Sequence, residues 1–301
     1  MYDVIVIGGS FAGQAAAIQL ARARMSVLLI DAGLPRNRFA DASHGFLGQD
    51  GKAPNTIMRE ATAQLRRYPT AQILQNDAQN DAQKVARNGK TFTVSLANGA
   101  KFQAKRLILA TGVSDTLPDI PGVAERWGKT VLHCPYCHGY EVRNHQLGII
   151  ATNPMSIHQA TLIPDWGPTT YFTQGIYEPD PEQAMLLNKR GVVIERTPII
   201  SLIGDAPGLD AVKLADGRLI EVAAVFTVPK TRPASPIAED LGCILENGPT
   251  GPFIKVDTWG ATSVSGVYVA GDAASPMHNA TVAAASGVLA GIAAHQSLAR
   301  A

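Results

Sequence analysis

The chain has 301 residues, of which 46% are hydrophobic and 17% are charged, and its formal net charge is +1. That length suits one large or two medium domains, and the near-zero charge argues against nucleic acid or an acidic surface as the main partner. The sequence has no apolar run near ~18 residues, no signal-peptide pattern and only three cysteines, so we expect a soluble cytoplasmic protein without a membrane span.

The N-terminal segment predicts a strand, a tight turn, a helix and a second strand. Residues 4–7 and 27–30 are continuous apolar runs, as expected of buried parallel strands. Helix-forming residues occupy positions 12–23 between them. This order is typical of the βαβ unit that binds a dinucleotide.

The turn of this unit carries an altered glycine fingerprint. Residues 8–13 read GGSFAG where GxGxxG is usual, so Ser10 replaces the second glycine. Gly8 permits the sharp turn, Gly13 lets the helix pack close to the strand, and the helix N-terminus would face a pyrophosphate. Asp31 lies about 20 residues further on, where a carboxylate accepts hydrogen bonds from a ribose. The alternative is a plain βαβ turn in an unrelated α/β fold.

Two cysteines in the segment CPYCHGYE have two chemical interpretations. Cys134 and Cys137 are followed at once by His138, as in half of a zinc site or in a redox-active pair. A structural zinc site usually needs a second CxxC or an HxxxH pair, and the sequence contains neither. We therefore expect no metal and favour the redox pair. Cys243, in the apolar segment LGCILENG, is interpreted as a buried packing thiol.

Two later segments extend the pattern. RLILATGV leads an apolar strand into Thr111-Gly112, and GVYVAGDAA leads another into Gly271-Asp272, followed by a small-residue helix to about His295. Together with the N-terminal fingerprint and the CxxC, this order resembles the flavoproteins of the low-molecular-weight thioredoxin reductase-like family along nearly the whole chain. The resemblance implies an α/β fold with two Rossmann-like domains of the three-layer ββα type. It also implies an FAD domain at residues 1–115 and 245–301, interrupted by a central domain at 116–244 that carries the CxxC.

The resemblance further implies which residues would bind FAD. They are Gly8, Ser10, Phe11, Ala12, Gly13, Asp31, Ala32, Arg36, Asn37, Arg38, His44, Gly45, Asp50, Ala78, Ala110, Thr111, Gly112, Gly271, Asp272, Ala280 and Thr281. In the family, the aspartate of the GD motif holds the ribityl chain, and the following helix points its positive end at the flavin. Thioredoxin reductases usually carry Arg-Gln-Ala where this chain has Asn279-Ala280-Thr281, so helix-end amides would remain as the main stabilisers of reduced flavin.

In this family the central domain carries a redox-active CxxC, which supports the dithiol interpretation. The resemblance implies that Cys137 contacts the flavin and that Cys134 exchanges with substrate, with the thiolate as the attacking species. Related reductases have an acidic residue straight after the second cysteine, whereas this chain has His138, a general acid–base candidate. The alternative is a surface or helix-capping histidine. Glu141 would orient the imidazole or act as the base itself.

The second nucleotide site, used for NADPH in the family, lacks its signature. The strand at residues 147–150 ends at ATNPMS, where GxGxxG or GxGxxA should stand, and Pro154 has no amide for a phosphate. The following TYFTQGIYEPD contains no arginine, and Glu178 and Asp180 would repel a 2′-phosphate. We predict that the domain keeps its shape but has lost NADPH affinity. The alternative is an atypical but functional nicotinamide site.

Without NADPH, electrons must reach or leave the flavin by another route. The CxxCHG segment, the altered second fingerprint and DAGLPRNRFADASHGFLGQDG resemble the dithiol-oxidase branch of the family, which includes gliotoxin- and holomycin-type disulfide-forming enzymes. This branch implies a homodimer that oxidises a dithiol to a disulfide with dioxygen as acceptor, and whose partner is a small dithiol or a thioredoxin-like protein. Two alternatives stay open. One is a thioredoxin reductase-like enzyme supplied by ferredoxin or NADPH, and the other is a flavin redox sensor without turnover.

Overall fold

The structure is a computed structural model that describes residues 1–75 and 81–300. The chain forms two compact units, the first from Met1–Arg38, Ala53–Ser114 and Thr231–Ala301, the second from Phe39–Lys52 and Asp115–Lys230. The first border lies within one residue of the predicted position at 115. The return to the first unit comes at residue 231 instead of 245, because Ile237, Ala238 and Cys243 are buried in the core of the first unit. The loop Phe39–Lys52 was expected in the FAD domain and belongs to the second unit instead.

The described residues form the following α-helices and strands. The helices are α1 Phe11–Arg22, α2 Pro54–Leu65, α3 Pro135–His138, α4 Met155–Leu162, α5 Pro181–Lys189, α6 Ile237–Asp240 and α7 Ala280–Ala299. The strands are β1 Tyr2–Ile7, β2 Val27–Ile30, β3 Ala71–Leu74, β4 Ala82–Asn88, β5 Thr91–Leu96, β6 Lys101–Leu109, β7 Val113–Thr116, β8 Val131–Leu132, β9 Leu147–Ile150, β10 Thr169–Phe172, β11 Val193–Glu195, β12 Ile199–Ile203, β13 Ala211–Leu214, β14 Leu219–Glu221, β15 Ala224–Thr227, β16 Lys230–Pro233, β17 Leu245–Asn247, β18 Pro252–Ile254 and β19 Val267–Val269.

The first unit is built on a seven-stranded sheet in the order β3-β2-β1-β6-β5-β4, with β19 also paired to β6. The strands β3, β2, β1, β6 and β19 run parallel, whereas β5 and β4 add an antiparallel hairpin. Both faces of β1 are buried, Val4 and Val6 on the helix side and Ile5 and Ile7 on the other. A strand covered on both faces requires a continuous apolar run, which explains the sequence of β1.

Helices α1 and α7 of this unit pack closely through glycine. A Cβ on Gly287 would lie 2.1 Å from the carbonyl oxygen of Ala12, and a Cβ on Gly291 would lie 2.9 Å from that of Ala16. Among the described residues, α7 is the one helix long and apolar enough to cross a membrane by length and composition alone. Its glycine face instead packs against α1, as in the core helix of a globular domain.

The second unit has three layers. A parallel sheet in the order β11-β10-β9-β15-β8 lies between helices α4 and α5 on one face and the antiparallel β12-β13-β14 sheet on the other. In β9, Ile149 packs on the helix side and Ile150 on the side of the antiparallel sheet. This arrangement confirms the predicted fold class with its Rossmann-like βαβ units.

Candidate functional site

Backbone segments approach one another closely at the turn between β1 and α1. Gly8 has a φ of +102°, and a Cβ there would lie 2.2 Å from the carbonyl oxygen of Ala110, just after β6. A Cβ on Gly13 would lie 1.8 Å from the carbonyl oxygen of Gly8. Ser10 is the N-cap of α1, and its hydroxyl makes no capping hydrogen bond within the described chain. The turn therefore has the tight glycine geometry of a dinucleotide-binding fingerprint at a helix N-terminus.

Asp31 follows β2 and lies directly against this turn. A Cβ on Gly9 would lie 2.8 Å from Oδ2 of Asp31, so only glycine at position 9 lets the carboxylate approach. The carboxylate is where the sequence predicts a ribose contact. Ala32 follows it directly in the chain.

Asp272 of the GD motif forms an ion pair within the first unit. Arg36, in the 3-10 turn Arg36–Phe39, donates from Nη1 to Oδ2 of Asp272 at 3.1 Å. The two side chains are only 17% and 20% exposed. The structure thus brings together two predicted FAD residues from opposite ends of the chain. Asn37 and Arg38 lie in the same turn as Arg36.

Asn279 caps the N-terminus of α7, where the sequence analysis expected backbone amides to stabilise reduced flavin. Oδ1 of Asn279 accepts hydrogen bonds from the amides of Thr281 at 2.8 Å and Val282 at 3.3 Å. Asparagine is a strong N-cap, and these bonds use amides that were expected to stabilise reduced flavin. Ala280 is the first residue of the helix, and the amide of Thr281 already donates a hydrogen bond to Asn279.

The remaining predicted FAD residues are distributed as follows. Thr111 and Gly112 link β6 to β7, and Gly112 has a φ of +67°. His44, Gly45 and Asp50 lie in the loop that belongs to the second unit, and their contacts described below are within that unit. Ala78 lies outside the described residues.

The two central cysteines are joined as a disulfide. Cys134 is the N-cap of α3 and Cys137 lies within this helix, with their Cα atoms 5.3 Å apart. Pro135 occupies the first helical position, where its missing amide hydrogen has no cost. Both cysteines are half-buried. Cys243 is a buried free thiol, as predicted.

Four titratable side chains, His44, Asp50, His138 and Glu141, interact in the unit that carries the disulfide. Nε2 of His44 lies 3.5 Å from Oε1 of Glu141, and Nδ1 of His44 lies 3.7 Å from Oδ1 of Asp50. Burial lowers the pKa of His138, Glu141 opposes that effect, and His44 adds to it. A lowered pKa favours the neutral imidazole, which is the form that accepts a proton. The roles of His138 and Glu141 stay predictions, and the structure adds His44, which the sequence analysis assigned to the flavin, beside Glu141.

Two exposed tyrosines lie in the segment that carries the disulfide, a feature that the sequence analysis missed. Tyr136 and Tyr140 are 73% and 65% exposed. The ring of Tyr136 meets Trp166 edge-on at 5.7 Å between centroids, and Cζ of Arg143 lies 3.8 Å from the centre of the Tyr140 ring. Tyr136, between the two cysteines in the sequence, was the feature from which an aromatic residue at this site could have been predicted.

The turn after β9 satisfies its own amides. Oγ of Ser156 accepts hydrogen bonds from the amides of Thr152 at 3.1 Å and Asn153 at 3.4 Å. Oδ1 of Asn153 accepts from the amide of Met155 at 2.8 Å, while its Nδ2 donates to the carbonyl of Val228 at 2.8 Å. The side chains of the altered fingerprint thus occupy the positions where a phosphate would accept hydrogen bonds.

Arg196 lies near the end of β10, although the segment TYFTQGIYEPD, which contains the end of this strand, has no arginine. Nε of Arg196 donates to Oε2 of Glu178 at 3.0 Å, and Oε1 of Glu178 accepts from the hydroxyl of Thr173 at 2.6 Å. Arg196 comes from beyond β11. Its charge is paired with the acidic residue that the sequence analysis expected to repel a phosphate.

Known proteins share this architecture. The family model described as pyridine nucleotide-disulphide oxidoreductase matches residues 2–151 and 180–287. Thioredoxin reductase tcpT from Claviceps purpurea is 33% identical over 301 residues, covering 96% of this chain and 92% of that protein. Thioredoxin reductase sirT from Leptosphaeria maculans is 29% identical over 306 residues, covering 97% and 92%. The crystal structure of an oxidoreductase from Agrobacterium tumefaciens has a TM-score of 0.93 at 49% identity, covering 99% of this chain and 98% of its own.

These similarities cover both units and agree with the chemistry of the residues. The glycine turn, Asp31 and the Arg36–Asp272 pair fit FAD, which this family binds, and the paired cysteines fit disulfide exchange. The chain therefore belongs to the pyridine nucleotide-disulphide oxidoreductase family, as a thioredoxin reductase-like, FAD-dependent disulfide oxidoreductase.

Proposed function

We propose that this enzyme oxidises a small dithiol to a disulfide, with dioxygen as the electron acceptor and without NADPH. We also propose that it works in the cytoplasm as a homodimer. The observation that carries the proposal is the self-satisfied turn after β9, in which Ser156 and Asn153 accept hydrogen bonds from the backbone amides.

The free-energy cost of opening this turn favours an enzyme that does not bind NADPH. A pyrophosphate would have to displace Ser156 and Asn153 from three amides, and Asn153 is only 5% exposed. A buried polar group left without a partner costs about 1–3 kcal/mol. Pro154, which lacks an amide hydrogen, adds no donor in return. The pairing of Arg196 with Glu178 also removes a cation that a 2′-phosphate would need.

The residues of the second unit support thiol exchange. In the proposed step, a substrate thiolate attacks Sγ of Cys134, the Cys134–Cys137 bond breaks, and Cys137 leaves as a thiolate. His138 takes up the proton that the substrate thiol releases. The second substrate thiol then attacks the substrate sulfur of the mixed disulfide, and Cys134 leaves and takes up the second proton. The substrate has then lost two electrons and two protons, and the cysteines have gained the electrons. FAD, when bound, supplies the two-electron acceptor that returns the cysteines to the disulfide and passes the electrons to dioxygen.

Anaerobic reduction of the FAD-loaded protein tests this proposal. The flavin absorbance is followed after mixing with dithiothreitol, NADPH or reduced ferredoxin in separate experiments. We expect bleaching by dithiothreitol alone and one peroxide per dithiol after air is admitted. Rapid bleaching by micromolar NADPH would contradict the loss of the nicotinamide site.

The names of two relatives favour a second candidate. Both tcpT and sirT are named thioredoxin reductases, so a reductase of protein disulfides supplied by ferredoxin or NADPH is the competing function. Bleaching by reduced ferredoxin or NADPH, coupled to reduction of a thioredoxin disulfide, would support it. A protein whose flavin and disulfide change state without catalytic turnover would instead be a redox sensor.

A further inference from the structure

The loop Phe39–Lys52 brings an additional histidine to the disulfide unit. Its position is defined by several contacts within this unit. The side chain of Asp41 pairs with Lys129, and a Cβ on Gly128 would lie 2.7 Å from Cβ of Phe39. The amide of Ser43 donates to the carbonyl of Lys52 at 2.8 Å, which closes the loop. The loop is therefore anchored on the unit that carries the cysteines.

Within this loop, His44 lies between two carboxylates. Oε1 of Glu141 lies 3.5 Å from Nε2, and Oδ1 of Asp50 lies 3.7 Å from Nδ1. Asp50 is held in turn by the amide of Gly45, which donates to its Oδ1 at 2.8 Å. The His44 side chain is 23% exposed, whereas those of Glu141 and Asp50 are 43% and 69% exposed. Because both ring nitrogens face a carboxylate, the orientation of this imidazole is defined from two sides.

We propose that His44 is a positioning residue for proton transfer at the disulfide, because its imidazole lies 3.5 Å from the carboxylate of Glu141, three residues beyond His138, and so orients that carboxylate. This inference rests on the proposed function for its chemical step. The proton comes from the substrate thiol that attacks the Cys134–Cys137 bond, and it moves to His138 while the electron pair of the broken bond leaves on sulfur. His44 takes no part in bond formation.

The electrostatics of the cluster distinguish the two neighbours of His138. Burial is the largest influence on the pKa of His138 and lowers it, Glu141 raises it, and His44 lowers it. The groups that face His44 are Asp50, Glu141 and His138. Loss of Glu141 and loss of His44 should therefore move the protonation of His138 in opposite directions. A histidine with a purely structural role would not produce that pattern.

Histidine titration by NMR of the FAD-loaded protein tests the inference directly. The variants are His44→Gln, Glu141→Gln and His138→Gln, with the exposed His158→Gln as the matched control. We expect the His138 titration midpoint to move to higher pH in H44Q, to lower pH in E141Q, and to stay in place in H158Q. An unchanged midpoint in H44Q, or shifts of the same sign in H44Q and E141Q, would overturn the proposal.

A second variant keeps the proposal testable if H44Q folds poorly. His44→Asn also removes the imidazole beside Glu141, so the His138 midpoint must again move to higher pH. An unchanged His138 midpoint in H44N would contradict the proposal. FAD content and the thermal midpoint of each variant identify any variant that fails to fold.

Thiol exchange provides the functional readout. The rate of flavin bleaching by dithiothreitol should fall severalfold at pH 6 in H44Q and be unchanged at pH 8, because neutral His138 is the proton acceptor. The rate at pH 6 should rise in E141Q. If dithiothreitol fails to bleach the wild-type flavin, the proposed function fails, whereas the opposite NMR shifts still test the role of His44 on their own.

Discussion

The two nucleotide-type turns of this protein have the same place in their βαβ units and different means of satisfying the helix N-terminus. In the turn after β1, Gly8 and Gly13 bring the backbone close together, and the hydroxyl of Ser10 makes no capping bond within the described residues. In the turn after β9, Ser156 and Asn153 accept hydrogen bonds from the amides themselves. The difference supports the proposal that the second unit does not bind NADPH, because side chains there accept the hydrogen bonds that a phosphate would accept.

The largest effect is expected at Gly13 in the first turn. A Cβ at this position would lie 1.8 Å from the carbonyl oxygen of Gly8, so Gly13→Val should separate β1 from α1 and abolish FAD binding. The flavin-to-protein absorbance ratio of the purified variant measures the loss. Ser10→Gly restores the usual fingerprint and serves as the control, with full FAD content. Retention of FAD by G13V would show that the close approach is not required.

A pair of serine substitutions sharpens the comparison between the turns. Ser156→Ala removes the acceptor of two amides and should lower the free energy of unfolding by about 1–2 kcal/mol. Ser10→Ala removes a hydroxyl without a capping bond, so we expect a change within about 0.5 kcal/mol. Guanidinium unfolding of the FAD-free proteins measures both values. Equal losses at the two serines would break the comparison.

The pH dependence of stability tests the environment of the disulfide in the second unit. Burial lowers the pKa of His138 below its unfolded value of about 6.5, so the unfolded state binds the proton more readily. Stability should therefore be complete above that value and fall as the pH drops from it toward the folded pKa. His138→Gln should remove this decrease between pH 7.5 and 5.5, as measured by the thermal midpoint. The exposed His158→Gln should retain it.

The smallest effect is expected at the end of β10. Glu178→Gln weakens the partner of Arg196, and because both side chains are well exposed we expect a loss below about 1 kcal/mol. NADPH binding, followed by calorimetry, should stay undetectable, because the amides of the turn after β9 remain occupied. If E178Q alone bound NADPH, the charge near β10 and not the turn would be the barrier.

Local patterns in the sequence were sufficient to predict the strands beside the two nucleotide-type turns, helix α1 and the cysteine pair. The apolar runs of β2 and β9 occur at the predicted residues, Val27–Ile30 and Leu147–Ile150, because strands buried on both faces must be apolar throughout. The predicted helix at 12–23 is α1 Phe11–Arg22, shifted by one residue. The CxxC spacing likewise predicted the disulfide, since cysteines three apart at a helix start lie within bonding distance.

Contacts between distant segments could not be read from such patterns. The chain returns to the first unit at residue 231 because Ile237 and Cys243 are buried in the core of that unit. Segments distant in the sequence form this core together. The hydrogen bond from the amide of Thr281 to Asn279 likewise depends on the rotamer of the Asn279 side chain.

The fold class, the glycine turn for FAD and the cysteine pair were predictable from the chain alone, because each depends on backbone geometry or spacing within short segments. The position of His44 beside Glu141, and the hydrogen bonds of Ser156 and Asn153 in the turn after β9, emerged only in the folded chain. Hydrogen bonds and ion pairs act over a few ångströms, so they depend on which side chains the folded chain brings together.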